Sequence, residues 1–316
     1  MVQINNNNPL VSIVMATYNR SNIVGYAIQS VLHSTMQNWE LIIIGDCCTD
    51  DTAAVVQSFN DKRINFLNLE QNYGEQTGPN NIGVAMARGK YLAFLNHDDL
   101  WLPGHLQHSV SILEAEEIDL VFGQGLVIAP NGQHYLNGAL CAERQPYAPG
   151  IDVPATLWLM RREFSAKVGP WKPSWQIRTI PSQEWLYRAW RTGAKIVANP
   201  QLSALLIPSG IRYDAYKNRQ HAEHIFWFAQ LQNESALRKI LSAICGQALH
   251  ENRFGSAKLL RGFIKIMVRR WLLAFGVWVP YPRYWFKYWR KGAFLRDLRQ
   301  RRGLHELKNS GEKTQQ

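Results

Sequence analysis

The sequence predicts an α/β fold in which a Rossmann-like, mostly parallel sheet is flanked by helices and followed by a helical, basic C-terminal extension. Up to about residue 130, short apolar runs alternate with segments whose apolar residues have helical spacing. Strands joined by helices pair in parallel through right-handed crossovers. The composition agrees, since 46% of the 316 residues are hydrophobic and 19% are charged, as in a globular protein with a sizeable core.

The individual elements follow from the same pattern. Strands are predicted at 10–16, 41–44, 64–67, 91–95, 120–128 and 195–198. Helices are predicted at 22–33, 50–59, 79–87, 103–116, 157–168 and 181–192. Residues 132–150 are rich in Gly, Pro, Asn and Tyr and are predicted to form a mobile loop. We expect a catalytic domain at 9–212 and a helical region at 213–316.

A parallel sheet also predicts where a ligand binds, because open α/β sheets bind ligands at the carboxyl ends of their strands. Asp46 follows the second predicted strand, and Asn96, Asp98 and Asp99 follow the fourth. No GxGxxG motif follows the first strand and no GxxxxGK motif occurs, so a dinucleotide cofactor is poorly supported.

Asp98 and Asp99 are adjacent carboxylates that repel each other unless a cation lies beside them. Carboxylate oxygens suit Mg²⁺ or Mn²⁺, and such a cation can bridge a diphosphate. The alternative is that Asp99 caps a following helix. The position at a strand end favours the metal.

Several motifs occur in a fixed order. Residues 11–20 read VSIVMATYNR, 27–32 read AIQSVL and 39–52 read WELIIIGDCCTDDT. NNIG at 80–83, ARGKYLAFL at 87–95 and NHDD at 96–99 continue the series. Over residues 9–200 this order resembles the inverting, bacterial glycosyltransferases of family 2, which have the GT-A fold.

The resemblance implies a nucleotide-sugar donor, a divalent cation (Mg²⁺ or Mn²⁺) and a role for each matching residue. The nucleotide-sugar site would comprise Ala16, Thr17, Tyr18, Asp46, Asn80, Asn96 and Asp98, with Asp46 accepting the imide N–H of the base. Asp98 and Asp99 would hold the metal. Glu184 would be the base that deprotonates the acceptor hydroxyl, a step that needs a nearby carboxylate.

Other assignments stay open in the sequence. Trp101 is a candidate platform for a sugar face and Arg188 a candidate acceptor contact, although a packed core aromatic is the alternative for Trp101. Glu184 could instead pair with Arg188 at i+4. The sequence departs from the family at Gly45 and Asn96, where acids are common, and at Glu184, where Asp is commoner. Other candidates for the base are Asp152 and Glu163.

The C-terminal segment concentrates the positive charge of the chain. Residues 253–303 contain fourteen of the 35 Lys and Arg residues but only one of the 24 acids, Asp297. Between 253 and 271 the basic and apolar residues separate onto two helix faces, and 278–291 mix Trp and Tyr with cations. We therefore predict that 253–303 binds an anionic membrane surface, with packing on the catalytic domain or binding to RNA as alternatives.

These observations together predict a peripheral enzyme at the inner, cytoplasmic face of the cell membrane. Residues 1–9 do not resemble a signal peptide, and the longest apolar stretch, 271–281, is too short to span a bilayer. The predicted activity is transfer of a sugar to a lipid-linked or glycan acceptor in bacterial surface glycan synthesis, with no nucleic acid as partner. The alternatives are a catalytically lapsed binding module and, less well supported, a nucleotidyltransferase.

Overall fold

The computed structural model describes residues 8–132, 134–139, 144–149, 151–219, 221–233, 237–244 and 290–304, together with positions 235, 246, 267 and 271. The predicted amphipathic helix at 253–271 and most of the aromatic stretch at 278–291 therefore lie outside the described residues.

Within these residues the chain forms nine strands and the α-helices named below, and residues 237–244 are helical as well. The strands are β1 Val11–Thr17, β2 Trp39–Gly45, β3 Ile64–Asn68, β4 Tyr91–Phe94, β5 Asp99–Trp101, β6 Leu120–Ile128, β7 His134–Gly138, β8 Trp158–Arg161 and β9 Ile196–Leu206. The helices are α1 Val24–Leu32, α2 Thr52–Gln57, α3 Thr77–Met86, α4 His105–Ala115, α5 Arg162–Val168, α6 Pro181–Arg191, α7 Ala215–Asn218, α8 Ala222–Leu231 and α9 Ala293–Arg301.

One sheet organises the described chain, in the order β3-β2-β1-β4-β8-β6-β9-β5, with β7 paired to β6. The first four strands are parallel, which confirms the predicted Rossmann-like half. Every residue of β2 and β4 is buried, as expected of central strands covered on both faces. The α/β fold class is confirmed, but β8 and β5 join the sheet in antiparallel orientation.

Four strands differ from the prediction. Trp158–Arg161 was predicted as the start of a helix but forms β8, because its apolar side chains are buried between β4 and β6. No strand was predicted at Asp99–Trp101, which forms β5 against β9 before the predicted helix begins. The predicted loop at 132–150 contains β7, and β9 extends well beyond the predicted 195–198.

The C-terminal elements pack on the sheet. Trp227 and Phe228 of α8 join Leu100, Leu126 and Leu205 in a second apolar cluster, beside the main core. The end of α9 is attached to the segment that precedes α8, because the amides of Asp214 and Tyr216 donate hydrogen bonds to the carbonyls of Arg301 and Arg302. Among the described residues, no helix combines the length and apolarity needed to cross a bilayer.

Candidate active site

The carboxyl ends of β1, β2 and β4 meet at one edge of the sheet, because Thr17 aligns with Gly45 and Val14 with Phe94. A cavity of about 150 Å³ opens there. Its walls come from these strand ends, from the loops after β3 and β9, from α7 and from the end of α9. The lining residues are Ala16, Thr17, Tyr18, Asp46, Gly74, Glu75, Gln76, Pro79, Asn96, His97, Asp98, Pro208, Tyr216, Arg299, Arg302 and Leu304.

Asp46 lines this cavity and is held by the loop after β3. The backbone amides of Tyr73 and Gly74 donate hydrogen bonds of 2.6 and 2.9 Å to its two carboxylate oxygens. Burial raises the pKa of Asp46 to about 6, although these two hydrogen bonds oppose the shift. At neutral pH Asp46 is therefore an oriented, ionised acceptor.

Asp98 lies in the cavity wall contributed by β4. The amide of Ser209 donates a hydrogen bond of 2.7 Å to its Oδ2. Burial acts to raise the pKa of Asp98, but His97, the positive charge of Arg302 and the Ser209 hydrogen bond outweigh it and hold the pKa below its usual range. Asp98 is thus an ionised group that faces a ligand space.

Asp99 is oriented differently from Asp98. Its Oδ2 accepts hydrogen bonds from Asn96 and from the Thr156 hydroxyl, at 2.8 and 2.6 Å, and its Oδ1 accepts one from the Ile207 amide at 3.1 Å. Burial and the neighbouring Asp98 charge raise its pKa to about 7. Asp99 is not among the lining residues, so the geometry favours a positioning role for it, and the metal role stays a prediction.

The wall opposite the strand ends is aromatic and cationic. Tyr216 stacks with Tyr18 at 6.3 Å between ring centroids, and the guanidinium carbons of Arg20 and Arg302 lie 4.6 and 5.8 Å from the Tyr216 centroid. Burial lowers the pKa of His97 to about 4, so this ring is neutral. Its Nδ1 donates to the Ala16 carbonyl at 3.0 Å, and its Nε2 lies 3.4 Å from the Tyr216 hydroxyl.

The end of α9 completes the cavity. The sequence did not predict this contribution of α9. Arg299 Nη1 donates a hydrogen bond of 2.8 Å to the Gly74 carbonyl, and Arg302 approaches Tyr216 and Asp98. Both arginines belong to the segment predicted to bind a membrane. The spacing of i and i+3 places them on one helix face, but no local signal indicates what that face contacts.

Glu184 lies in the first turn of α6, outside the cavity lining. It forms ion pairs with Lys172 at 3.2 Å and with Arg188 at 3.1 Å, so the i+4 pair weighed from sequence is present. Two residues beyond Lys172, the Ser174 amide donates to Glu75 at 3.0 Å, and Glu75 lines the cavity. One loop thus joins Glu184 to the cavity wall.

The two predicted acceptor contacts are engaged elsewhere. Trp101 is 2% exposed, and its Nε1 donates to the Thr156 carbonyl at 2.8 Å. This burial leaves no ring face for an acceptor, so the core alternative is correct for Trp101. Arg188 donates to the carbonyls of Val168 and Pro170 at 2.6 and 2.7 Å, which argues against acceptor contact and for a role in holding Glu184.

Three remaining predictions concern Asn80, Gly45 and the alternative bases. Asn80 is buried in α3 and does not line the cavity. A Cβ added at Gly45 would lie 2.5 Å from Asn68 Oδ1, which accepts a hydrogen bond from the Cys48 amide. The acid that is common in the family at this position is therefore missing because this loop packs differently here. Glu163 is exposed on α5, and the carbonyl of Asp152 accepts from the Gly138 amide.

A divalent cation fits this site through Asp98 alone. In the described ranges, no three His, Cys, Asp or Glu side chains come together as a metal site. Mg²⁺ is commonly bound by one or two carboxylates together with substrate phosphates and water. Asp98 is ionised and lines the cavity, so it can contribute such an oxygen, whereas Asp99 has both oxygens occupied.

The parallel half-sheet, its acidic strand ends and the cavity between them define a glycosyltransferase-like α/β protein. Residues 12–169, half of the 316-residue chain, match the family described as "Glycosyl transferase family 2", and the chain belongs to that family.

Curated relatives agree with this assignment. The chain is 35% identical over 122 residues to the Escherichia coli UDP-Glc:alpha-D-GlcNAc-diphosphoundecaprenol beta-1,3-glucosyltransferase WfgD. This match covers 39% of this chain and 48% of that protein. It is 32% identical over 126 residues to the putative teichuronic acid biosynthesis glycosyltransferase TuaG of Bacillus subtilis (strain 168). This second match covers 39% of this chain and 50% of that protein. The chain thus spans about half the length of these relatives.

Solved structures show the same fold. The crystal structure of S. aureus TarS 1–349 in complex with UDP-GlcNAc matches with a TM-score of 0.55 and 17% identity, covering 63% of this chain and 58% of that one. TarS 1–349 without that ligand matches with a TM-score of 0.54 and 16% identity, covering 64% and 61%. The predicted GT-A fold is therefore confirmed.

Proposed function

We propose that this protein transfers a sugar, with inversion, from a nucleotide-sugar donor to a hydroxyl of a lipid-linked or polysaccharide acceptor in bacterial surface glycan synthesis. The observation that carries the proposal is the cavity lined by both Asp46 and Asp98, at the strand ends where α/β folds bind ligands. The names of WfgD and TuaG support the type of acceptor, and TarS in complex with UDP-GlcNAc supports the type of donor.

The two aspartates would recognise opposite ends of the donor. Asp46 is held by two amides with its lone pairs partly free, so it can accept the imide N–H of a base lying beside Tyr18. Asp98 would share a Mg²⁺ or Mn²⁺ ion with the diphosphate. When bound, that cation neutralises charge that develops on the leaving diphosphate.

Glu184 would take the proton from the acceptor hydroxyl. Its ion pairs with Lys172 and Arg188 fix the position of the carboxylate beside the loop that reaches Glu75. A general base must lie within hydrogen-bond reach of its proton in the reactive complex, and contacts in the free enzyme often tighten only there. Attack by the deprotonated hydroxyl on the face of the anomeric carbon opposite the departing diphosphate would give inversion.

The remaining expectations complete the proposal. Residues 9–212 would form the catalytic domain, and 213–316 the helical region. The predicted membrane segment 253–303 would divide in two. Gly292 and Arg299 donate hydrogen bonds to the carbonyls of Ile177 and Gly74, so 290–304 packs on the catalytic domain, which leaves 253–289 to bind an anionic surface at the inner face of the membrane. If the full-length protein floats with phosphatidylglycerol vesicles but not with phosphatidylcholine vesicles, that result would support membrane binding by the basic segment.

The activity is tested by screening UDP-, GDP- and dTDP-sugars with the full-length chain and Mn²⁺. We expect one of these nucleotide sugars to raise the melting temperature of the protein. The sugar of that donor should then be transferred to a GlcNAc-diphosphate lipid. Asp98→Ala should lose transfer, whereas Glu117→Ala, which removes an acid that is 96% exposed, should keep it. Binding without transfer to any acceptor would favour the lapsed binding module, and no binding by any donor would contradict the proposal.

A further inference from the structure

The end of α9 is held rigidly at the cavity by its backbone. The Asp214 amide donates to the Arg301 carbonyl at 2.8 Å, and the Tyr216 amide donates to the Arg302 carbonyl at 3.1 Å. Gly303 follows with a φ of +76°, where a Cβ would lie 2.6 Å from Asp214 Oδ1. These contacts fix the position from which the Arg302 side chain enters the cavity.

Positive charge is concentrated at this wall of the cavity. Arg20 is buried and Arg302 and Arg299 are half-buried. Asp46 interacts with Arg299, and Asp98 is the carboxylate that interacts with Arg20 and Arg302. Arg302 and Arg20 flank the same Tyr216 ring, so their like charges repel each other. An anion placed between Arg302 and the Asp98 cation site would relieve that repulsion.

Arg302 also has unused hydrogen-bonding capacity. Its Nε is buried, and no described residue accepts a hydrogen bond from it. Buried donors are nearly always paired, because an unpaired one loses its hydration without compensation. A planar guanidinium that lines a cavity is suited to bidentate recognition of a phosphate group.

We propose that Arg302 binds the diphosphate of the donor, while Arg299 fixes the loop that orients Asp46, so that the helix α9 is part of the donor site. This inference rests on the proposed function but concerns residues that no motif assigns. Arg302 would contact the substrate directly. Arg299, which donates to the Gly74 carbonyl beside the amide that binds Asp46, would be a positioning residue.

The test compares nucleoside and nucleoside diphosphate affinities by calorimetry with the full-length protein. UDP, GDP, dTDP, CDP and ADP are screened first, and the one that binds is paired with its nucleoside. Arg302→Gln should weaken the diphosphate about 10-fold or more and leave the nucleoside within about 2-fold. Arg302→Lys, which keeps the charge without the planar fork, should lose less. Arg296→Gln removes the same charge from an exposed position on α9 and should change neither affinity.

The outcomes separate the two proposals. If no nucleoside diphosphate binds the wild type, both the proposed function and this inference fail. If one binds and Arg302→Gln weakens it no more than Arg296→Gln does, only the inference is overturned. An equal loss of nucleoside and diphosphate affinity also overturns it, because that pattern indicates a collapsed cavity and not a lost phosphate contact. Melting temperatures of the three variants identify any that fail to fold.

Discussion

Arg299 Nη1 donates a hydrogen bond of 2.8 Å to the carbonyl oxygen of Gly74, across 225 residues of sequence. The amide of the same Gly74 donates to Asp46. The last described helix is therefore connected, through one residue, to the carboxylate that we propose recognises the base. Changes in α9 should be felt in nucleotide binding as well as in stability.

Gly303→Ala tests this connection. The substitution places a Cβ at a φ of +76° and 2.6 Å from Asp214 Oδ1, so the end of α9 must shift. We expect a loss of about 1 kcal/mol or more in unfolding free energy, since a non-glycine residue in this region is strained, together with weaker UDP binding. Gly193→Ala is the matched control, because its φ is +79° and nothing lies within 4 Å of the added Cβ. Equal nucleotide affinity in the two variants would contradict a role for α9 in the site.

The pKa of Asp46 predicts a pH dependence for nucleotide binding. Burial raises this pKa to about 6, so Asp46 is ionised above pH 6 and becomes protonated below it. Protonation removes an acceptor for the base, so the affinity for uridine should fall as the pH drops from 7 to 5, approaching tenfold per unit below the pKa. Calorimetry with uridine avoids the phosphate of UDP, which itself titrates near pH 6.

Asp46→Asn supplies the baseline for that experiment. An amide cannot titrate in this range, and its NH₂ group would face the amide of either Tyr73 or Gly74. We expect weak uridine binding that is flat from pH 5 to pH 8. A wild-type affinity that does not change over this range would show that Asp46 is not the acceptor for the base.

The two neighbouring aspartates should respond differently to substitution. Asp98→Asn removes a charge that faces the cavity, so transfer should fall at least 100-fold. The melting temperature should fall as well, because the low pKa of Asp98 means that its ionised form stabilises the fold through Arg302 and the Ser209 amide. Asp99→Asn places an amide among three hydrogen-bond donors, so it should cost about 1–3 kcal/mol of stability. If instead both variants kept full stability and lost Mn²⁺ binding equally, the predicted metal pair would be correct.

The sequence predicted the parts of the fold whose signals are local. The apolar runs of β1, β2 and β4 and the motifs that follow them were enough to predict the cavity edge with Thr17, Asp46 and Asp98. The strand Asp99–Trp101 was not predicted, because three residues are too few to show a strand pattern of their own. Its partner strand β9 lies far along the chain, where Leu100 aligns with Leu205.

The parts that were missed depend on long-range contacts. Arg302 and Tyr216 reach the cavity from distant segments, and charge alone does not distinguish a helix face that binds a membrane from one that binds a diphosphate. Trp158–Arg161 was predicted as helix because a short apolar run fits either structure, and only its burial between two strands decides.

Glu184 is the residue whose substitution tests the chemical step. Glu184→Gln preserves the size of the side chain but cannot accept a proton, so kcat should fall about 10²–10⁴-fold with the donor KM little changed. Glu163→Gln, an exposed acid on α5, is the matched control and should retain activity. Arg188→Gln should lower kcat less, because it removes one of two cations beside Glu184 and loosens the loop at Val168. If Glu184→Gln lost stability without a change in kcat, the ion pair with Arg188 would be structural, and Asp152 would become the leading candidate for the base.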